Sequence, residues 1–348
     1  MKTLSMLLLL STLLIACNDN VSLKQEQPGS IVNVTRDAEK YVVKLNKDGN
    51  WNVFQGPSAE QISWDNPTRL QGGDSLAIYH PYPEKRLFFA VVKPEGSDTL
   101  YSSERHIPAE NALNFRDFGG FINKDGKQLR WGRLFRSGSL ERLTDNDLAY
   151  FKNLGIKTVI DLRSDRAIIE TPDRLPDSVR LLHVKIIKTQ DLKRTIADNV
   201  GLGPDGAVQF LKENYVDFIV NIHTFRPIID QLLQGEPFLV HCNSGKDRSG
   251  ISVALILMAL NVDRAIIEEN YLLTNQYTTL YFNDNKEKLS PLGIKDDVIM
   301  ELSKVRQEYL HTAFNAIDSI YGSSEAMFEK EFGITSEIQK ELIKKYTY

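Results

Sequence analysis

Cys242 stands in the run His241-Cys242-Asn243-Ser244-Gly245-Lys246-Asp247-Arg248-Ser249-Gly250, between the apolar stretch Phe238-Leu239-Val240 and an apolar segment that opens at Ile251. The order reads as strand, loop, helix. Successive backbone N–H groups in such a loop can point inward as an anion-binding nest, and the helix start adds partial positive charge. Gly245 permits the backbone conformation that a tight curl needs. Such a cradle fits a phosphate. Lys246 and Arg248, beside the same helix start, favour the thiolate of Cys242, which is the nucleophilic form. Arg248 can donate two parallel hydrogen bonds to phosphoryl oxygens and stabilise charge in the transition state. The Ser249 hydroxyl is placed to steady the thiolate, both before attack and as a leaving group.

Only two cysteines occur in the 348 residues, Cys17 and Cys242. Met1 and Lys2 precede an apolar run from Leu4 to Ala16 that is as long as a signal-peptide core and too short to span a bilayer. It ends Leu14-Ile15-Ala16-Cys17, which resembles a bacterial lipobox, where the cysteine is lipidated after cleavage. The expectation is a signal peptide over 1–16, lipidation at Cys17 and a polar tether over 17–30. The protein would then be exported to the bacterial cell envelope and held on a periplasmic or outer-membrane face. Each buried methylene of an acyl chain contributes about 0.8 kcal/mol, so several chains would hold it there without a spanning segment. Cys242 would remain as an unpaired thiol with no internal disulfide partner.

These residues need a scaffold, and the chain changes character near residue 106. Between 31 and 105 the candidate strands Ile31–Asp37, Lys40–Asn46, Trp51–Gly56, Ser75–Pro81 and Arg86–Lys93 are separated by turn signals such as Lys47-Asp48-Gly49-Asn50. Regularly spaced short strands suggest a small all-β sandwich of immunoglobulin or fibronectin type. Trp51, Trp64 and Phe89 are expected in its core rather than on an adhesive surface. From 106 to 348, the apolar runs Lys157–Arg163 and Pro237–Cys242 suit strands buried on both faces. They alternate with helical stretches at Thr144–Leu154, Ala207–Leu233 and Gly250–Leu260, and helix dominates after Ala265 with breaks near Pro291-Leu292-Gly293 and Tyr321-Gly322-Ser323. The fold class is therefore α/β, a largely parallel sheet flanked by helices, preceded by the β-sandwich.

The loop resembles the signature of the protein tyrosine phosphatase superfamily: His, Cys, five residues, Arg, then Ser or Thr. Its Gly245-Lys246-Asp247-Arg248 core is similar to that of a bacterial branch of secreted tyrosine and phosphoinositide phosphatases, with Ser249 where threonine is common. Asn114-Phe115-Arg116-Asp117-Phe118-Gly119-Gly120, Leu134-Phe135-Arg136-Ser137-Gly138, Val159-Ile160-Asp161-Leu162-Arg163-Ser164 and the run from Tyr309 to Ser323 resemble blocks of that branch, in its order. The resemblance covers roughly 107 to 345 and leaves the β-rich part unmatched.

What it implies is a two-step hydrolysis through a phosphocysteine at Cys242, with Asn243, Ser244, Gly245, Lys246, Asp247, Arg248 and Ser249 binding phosphate. The resemblance gives Asp247 the role of general acid, against a plain helix N-cap, with Asp161 and Asp117 as competing acids. Lys246 either meets an additional phosphate or acidic group on the substrate or is a solvated lysine that raises the local potential. His241, Asp161, Arg163 and Arg136 are expected near the loop, as buttresses, substrate contacts or strand-end ion pairs, and Asp117 with Arg116 as possible staples of the first turn. The expected substrate is phosphotyrosine in proteins, with a phospholipid or inositol phosphate as the alternative. A catalytically inactive phosphate- or glycan-binding surface lipoprotein is the reading from another class, and a rhodanese-like sulfur carrier fits the Gly-Lys-Asp-Arg continuation poorly. The net charge of −4 and the lack of a Lys/Arg run argue against nucleic acid. His80, His106, His183, His223 and His311 show no metal-ligand spacing, so no metal or cofactor is expected.

Overall fold

A computed structural model describes residues 31–186 and 203–348, apart from 38, 81, 83, 95, 97 and 98. The leader, Cys17 and the tether lie outside the described residues. Of the described helices, none is long and apolar enough to cross a membrane.

Ahead of residue 106 the strands are β1 (Val32–Asp37), β2 (Lys40–Leu45), β3 (Asn50–Gly56), β4 (Ser63–Gln71), β5 (Ser75–Tyr79), β6 (Phe88–Val92) and β7 (Thr99–Ser103). They pair antiparallel into two sheets, ordered β1-β2-β5 and β4-β3-β6-β7. Val34, Tyr41 and Val43 from one sheet meet Trp51, Phe89 and Val91 from the other in a shared core. Two strands escaped the hydrophobic pattern, β4 and β7, and these are the edges of the four-stranded sheet. β4 is exposed along nearly its whole length and carries Pro67, which an edge tolerates. Trp64 corrects the core expectation: it is 52% exposed and leans on Phe54 at 5.1 Å between ring centres.

The second region holds β8 (Arg116–Asp117), β9 (Leu134–Ser137), β10 (Thr158–Asp161), β11 (Arg180–His183) and β12 (Phe238–His241). Their order is β11-β10-β12-β9-β8, parallel except for β8 against β9. Alternate side chains leave opposite faces of a strand. Accordingly Leu134, Ile160 and Val240 face one large apolar cluster, while Phe135, Val159 and Leu239 face a second. Both faces are covered, which is why these strands read as unbroken apolar runs.

The helices are α1 (Asp145–Asn153), α2 (Asp165–Glu170), α3 (Gly203–Val220), α4 (Arg226–Gln234), α5 (Arg248–Ala259), α6 (Arg264–Leu272), α7 (Thr278–Leu289), α8 (Asp296–Ser303), α9 (Gln307–Tyr321), α10 (Ser324–Phe332) and α11 (Ser336–Tyr346). Thr144 and Asp147 start α1 with a reciprocal capping box. The single helix expected over Ala207–Leu233 is in fact two. Pro227 cannot sit inside a helix without removing a hydrogen bond and clashing with the preceding turn. The chain therefore passes through a 3₁₀ turn at Ile222–Phe225 and restarts as α4 with Pro227 in its first turn. α5 is buried almost all round and runs through the centre of the larger cluster.

Register fixes where chemistry can occur. Ser137, His241, Asp161 and His183 fall in one row at the carboxyl ends of β9, β12, β10 and β11. Cys242 emerges from that row, at the edge where open α/β sheets bind ligands.

Candidate active site

The loop after β12 is built by turning its carbonyls outward. Asn243 O accepts from Ser139 N at 2.8 Å, and Ser244 O from the Tyr281 hydroxyl of α7 at 2.6 Å. Gly245 O accepts from Asn114 Nδ2 at 2.9 Å and Arg136 Nη2 at 2.5 Å, and Asp247 O from Ile251 N at 2.9 Å. Arg136 Nη2 also reaches Lys246 O at 3.4 Å. With the carbonyls held outside, the N–H groups of Asn243 through Asp247 have no protein acceptor among the described residues and are left for an anion. Gly245 has φ +64°, and a Cβ there would lie 2.3 Å from Ser137 O and 2.7 Å from Gly138 N. Backbone on the neighbouring strand leaves no room for a side chain. Cys242 is 3% exposed, and the Ser249 hydroxyl is buried without a partner.

Beneath this cradle lie two arginines with no acid. Arg116 and Arg136 face each other across β8 and β9, both fully buried. Arg116 donates to Asn270 O at 2.8 Å and to Thr274 Oγ1 at 3.3 Å, and neither guanidinium meets a carboxylate among the described residues. Burial, and for Arg116 also repulsion from Arg136, pushes both below the usual arginine range. Uncompensated buried cations are costly unless an anion arrives. Here the fold holds buried positive charge next to the loop, which suits a bound anion.

Each position of the Asn114–Gly120 block now has a task. Asn114, at φ +58°, pins the loop; Phe115 and Phe118 enter opposite apolar clusters; Arg116 underlies the loop. The Asp117 side chain makes no bond to the phosphate loop among the described residues. It accepts from Gly119 N and Gly132 N at 2.8 and 2.7 Å and pairs with Arg86, from the β-rich region, at 2.8 Å. A Cβ on Gly120 would strike the Trp131 ring at 2.2 Å, and Trp131 in turn packs on Phe88 and Ala90 beside β3.

Asp161, Arg163 and His241 form a separate network behind Cys242. Arg163 Nε and Nη2 grip Asp161 at 2.8–3.0 Å, and Nη2 also pairs with Asp173 Oδ1 at 2.9 Å. His241 Nε2 lies 2.9 Å from Asp173 Oδ2, off the line of a hydrogen bond, and 3.6 Å from Asp161. Burial raises the Asp161 carboxyl, but the bonds from Arg163 and the nearby His241 outweigh it and hold Asp161 below the usual carboxylate range. Both Asp161 oxygens accept from Arg163, so Asp161 is tied into this network and does not reach the loop as a proton donor would. The ligand atoms of Asp161, Asp173 and His241 converge within 4.8 Å, yet the Arg163 guanidinium occupies the cation's place between the two carboxylates. Asp173 was not foreseen; only its place in the fold brings it here.

Asp247 and Arg248 close the loop. Arg248 Nη1 donates to the Leu162 carbonyl at the end of β10, which ties the start of α5 to the next strand. Asp247 occupies the N-cap position of α5, but its side chain makes no capping bond. Its Oδ1 instead accepts from Lys246 Nζ at 2.9 Å and from the Tyr215 hydroxyl of α3 at 3.4 Å, with the side chain 28% exposed. Lys246 is not a solvated lysine: it is 4% exposed and also reaches Lys304 O at 3.4 Å. Tyr281, Tyr215 and Tyr271 were missed because they are apolar-looking helix positions whose hydroxyls find partners only in three dimensions.

Known proteins are similar to this chain in sequence. The family model described as "Tyrosine phosphatase family" matches residues 107–348. A Cupriavidus necator protein named as a tyrosine-protein phosphatase is 31% identical over 241 residues, 67% of this chain and 86% of that one. The triple specificity protein phosphatase PtpB of Mycobacterium tuberculosis is 32% identical over 259 residues, 63% of this chain and 90% of that one. Among solved structures, the catalytic core of the PP-IP phosphatase SIW14 from S. cerevisiae aligns with 54% of this chain and 94% of that chain at 16% identity and a TM-score of 0.23. With a matched family model over most of its length and relatives named for the same activity, the chain belongs to the tyrosine phosphatase family and is a phosphatase, a phosphoric monoester hydrolase.

Proposed function

We propose that the protein hydrolyses phosphate monoesters, foremost phosphotyrosine in proteins, through a phosphocysteine on Cys242. The observation that carries this is the cradle: carbonyls bound to the surrounding fold, amides with no acceptor among the described residues and two buried arginines without acids, all around one thiol. Cys242 Sγ attacks phosphorus in line while the loop amides and Arg248 hold the equatorial oxygens. The bond to the leaving oxygen breaks, and that oxygen takes a proton from Asp247. Water then attacks the phosphocysteine with Asp247 as base, releasing phosphate and the thiolate.

A phosphoinositide or inositol phosphate is the second substrate class. The triple specificity in the name of the M. tuberculosis relative favours breadth, and Lys246 at the loop could serve a further phosphate once it leaves Asp247. The lipobox-like Cys17 supports an exported protein anchored by lipid at the cell envelope, with the β-rich region between anchor and catalyst. Initial rates on phosphotyrosine peptides and phosphoinositides, run with Cys242→Ser, test the assignment. Turnover by Cys242→Ser at the wild-type rate would end it.

A further inference from the structure

Behind Asp247 lies a set of buried hydroxyls that the two-step mechanism does not use. Tyr215 of α3 and Tyr271 of α6 are 0% and 1% exposed, and their hydroxyl oxygens lie 2.5 Å apart. Tyr215 also donates to Asp247 Oδ1 at 3.4 Å. A hydroxyl has one proton to give. If that of Tyr215 goes to Asp247, that of Tyr271 goes to Tyr215, and the chain has one direction: Tyr271 to Tyr215 to Asp247. Burial pushes both phenols well above their usual range, so they stay protonated and act only as neutral donors.

The packing around the pair is specific. Tyr309 of α9 lies against the Tyr215 ring at 5.8 Å between centres. Gly250, the last residue of the loop run, is where Tyr271 passes: a Cβ there would meet its ring at 2.9 Å. The glycine after Arg248-Ser249 thus admits a tyrosine.

We infer that Tyr215, held by Tyr271, is a positioning residue that fixes which oxygen of Asp247 delivers the proton. Lys246 Nζ and the Tyr215 hydroxyl both bind Oδ1, and no described residue binds Oδ2. A carboxyl proton belongs on the oxygen that is not accepting hydrogen bonds, so the acid proton sits on Oδ2. As the phosphorus–oxygen bond breaks, its electron pair goes to the leaving oxygen, which takes that proton. The new negative charge on the carboxylate is met at Oδ1 by donors already in place. The 3.4 Å contact is long, as such contacts are before substrate binds.

The inference rests on Asp247 being the general acid, and a leaving-group series separates the two claims. Phenyl phosphate needs a proton on its leaving oxygen, whereas 2,4-dinitrophenyl phosphate hardly does. The readout is the ratio of kcat on the two esters for wild type, Asp247→Asn, Tyr215→Phe and Tyr271→Phe. Asp247→Asn should shift the ratio against phenyl phosphate by roughly a hundredfold. Tyr215→Phe should shift it the same way by about five- to tenfold, as one lost hydrogen bond implies, and Tyr271→Phe by less. An unshifted ratio in Asp247→Asn overturns the acid assignment and this inference with it. A shift there with an unchanged ratio in both tyrosine variants overturns the positioning role alone. Equal loss on both esters marks a general packing defect and also overturns it; turnover of the activated ester reports whether each variant is folded.

Discussion

Arg86→Met should do more damage than an alteration on the β-rich side would suggest. Arg86 Nη1 binds Asp117 Oδ2 at 2.8 Å and Nη2 binds Glu104 O at 2.5 Å, with both charged side chains at 2% exposure or less. Removing the cation leaves the Asp117 carboxylate buried on two amide donors, Gly119 N and Gly132 N. Breaking a buried pair from one side costs about 3–5 kcal/mol, a large share of the ~5–15 kcal/mol that holds a typical domain together. Urea unfolding of wild type, Arg86→Met, Asp117→Asn and the double variant measures it. The double variant should cost at least ~2 kcal/mol less than the sum of the singles, since the two residues are in direct contact. Asp117 lies three residues after Asn114, which pins the phosphate loop at Gly245 O, so the folded Arg86→Met enzyme should also lose roughly tenfold in kcat/KM. A loss of stability below about 1 kcal/mol, or strict additivity in the cycle, would refute the claim that this pair joins the two regions.

Gly245→Ala should keep the fold, checked by circular dichroism, and lose at least ~100-fold in kcat/KM, because φ +64° and Ser137 O at 2.3 Å force the loop to move. Wild-type turnover would show that the loop tolerates displacement. His106 is lowered to about 4 by burial and then by Arg116, and its Nδ1 lies 2.7 Å from the Tyr277 hydroxyl. Its unfolded value is about 6.5, so the unfolded state binds the proton first; the associated stability is complete above ~pH 6.5 and is lost as pH falls toward 4. The gap corresponds to about 3 kcal/mol. Urea midpoints at pH 7 and 4.5 should fall further for wild type than for His106→Asn, and equal falls would exclude the histidine as the cause.

Local signals gave what depends on neighbours in sequence. The loop from Cys242, the strand before it and the helix after it are contiguous, and the apolar runs of β10 and β12 marked strands covered on both faces. The edges β4 and β7 were illegible because one is exposed and polar and the other reads Thr-Leu-Tyr-Ser-Ser, without clear alternation. Candidate residues split by the range of their contacts. Arg136 and Asn114 reach the loop across 109 and 131 residues of chain, and their blocks were visible although their partner, Gly245 O, was not. Asp117, grouped with the site by sequence, turned to the β-rich region because its partner Arg86 lies outside the matched segment. Tyr215 and Tyr271 carried no signal; a buried tyrosine looks like any aromatic of an apolar helix face until its hydroxyl partner is known.

The covalent step is the most direct thing to observe. Acid quench of the enzyme during turnover of an aryl phosphate, followed by mass spectrometry of the peptides, should find one phosphoryl group on the peptide bearing Cys242, formed as fast as the first aryl alcohol is released. Steady release of product by Cys242→Ser, or a phosphoryl group on any other residue at that rate, would contradict nucleophilic attack by Cys242.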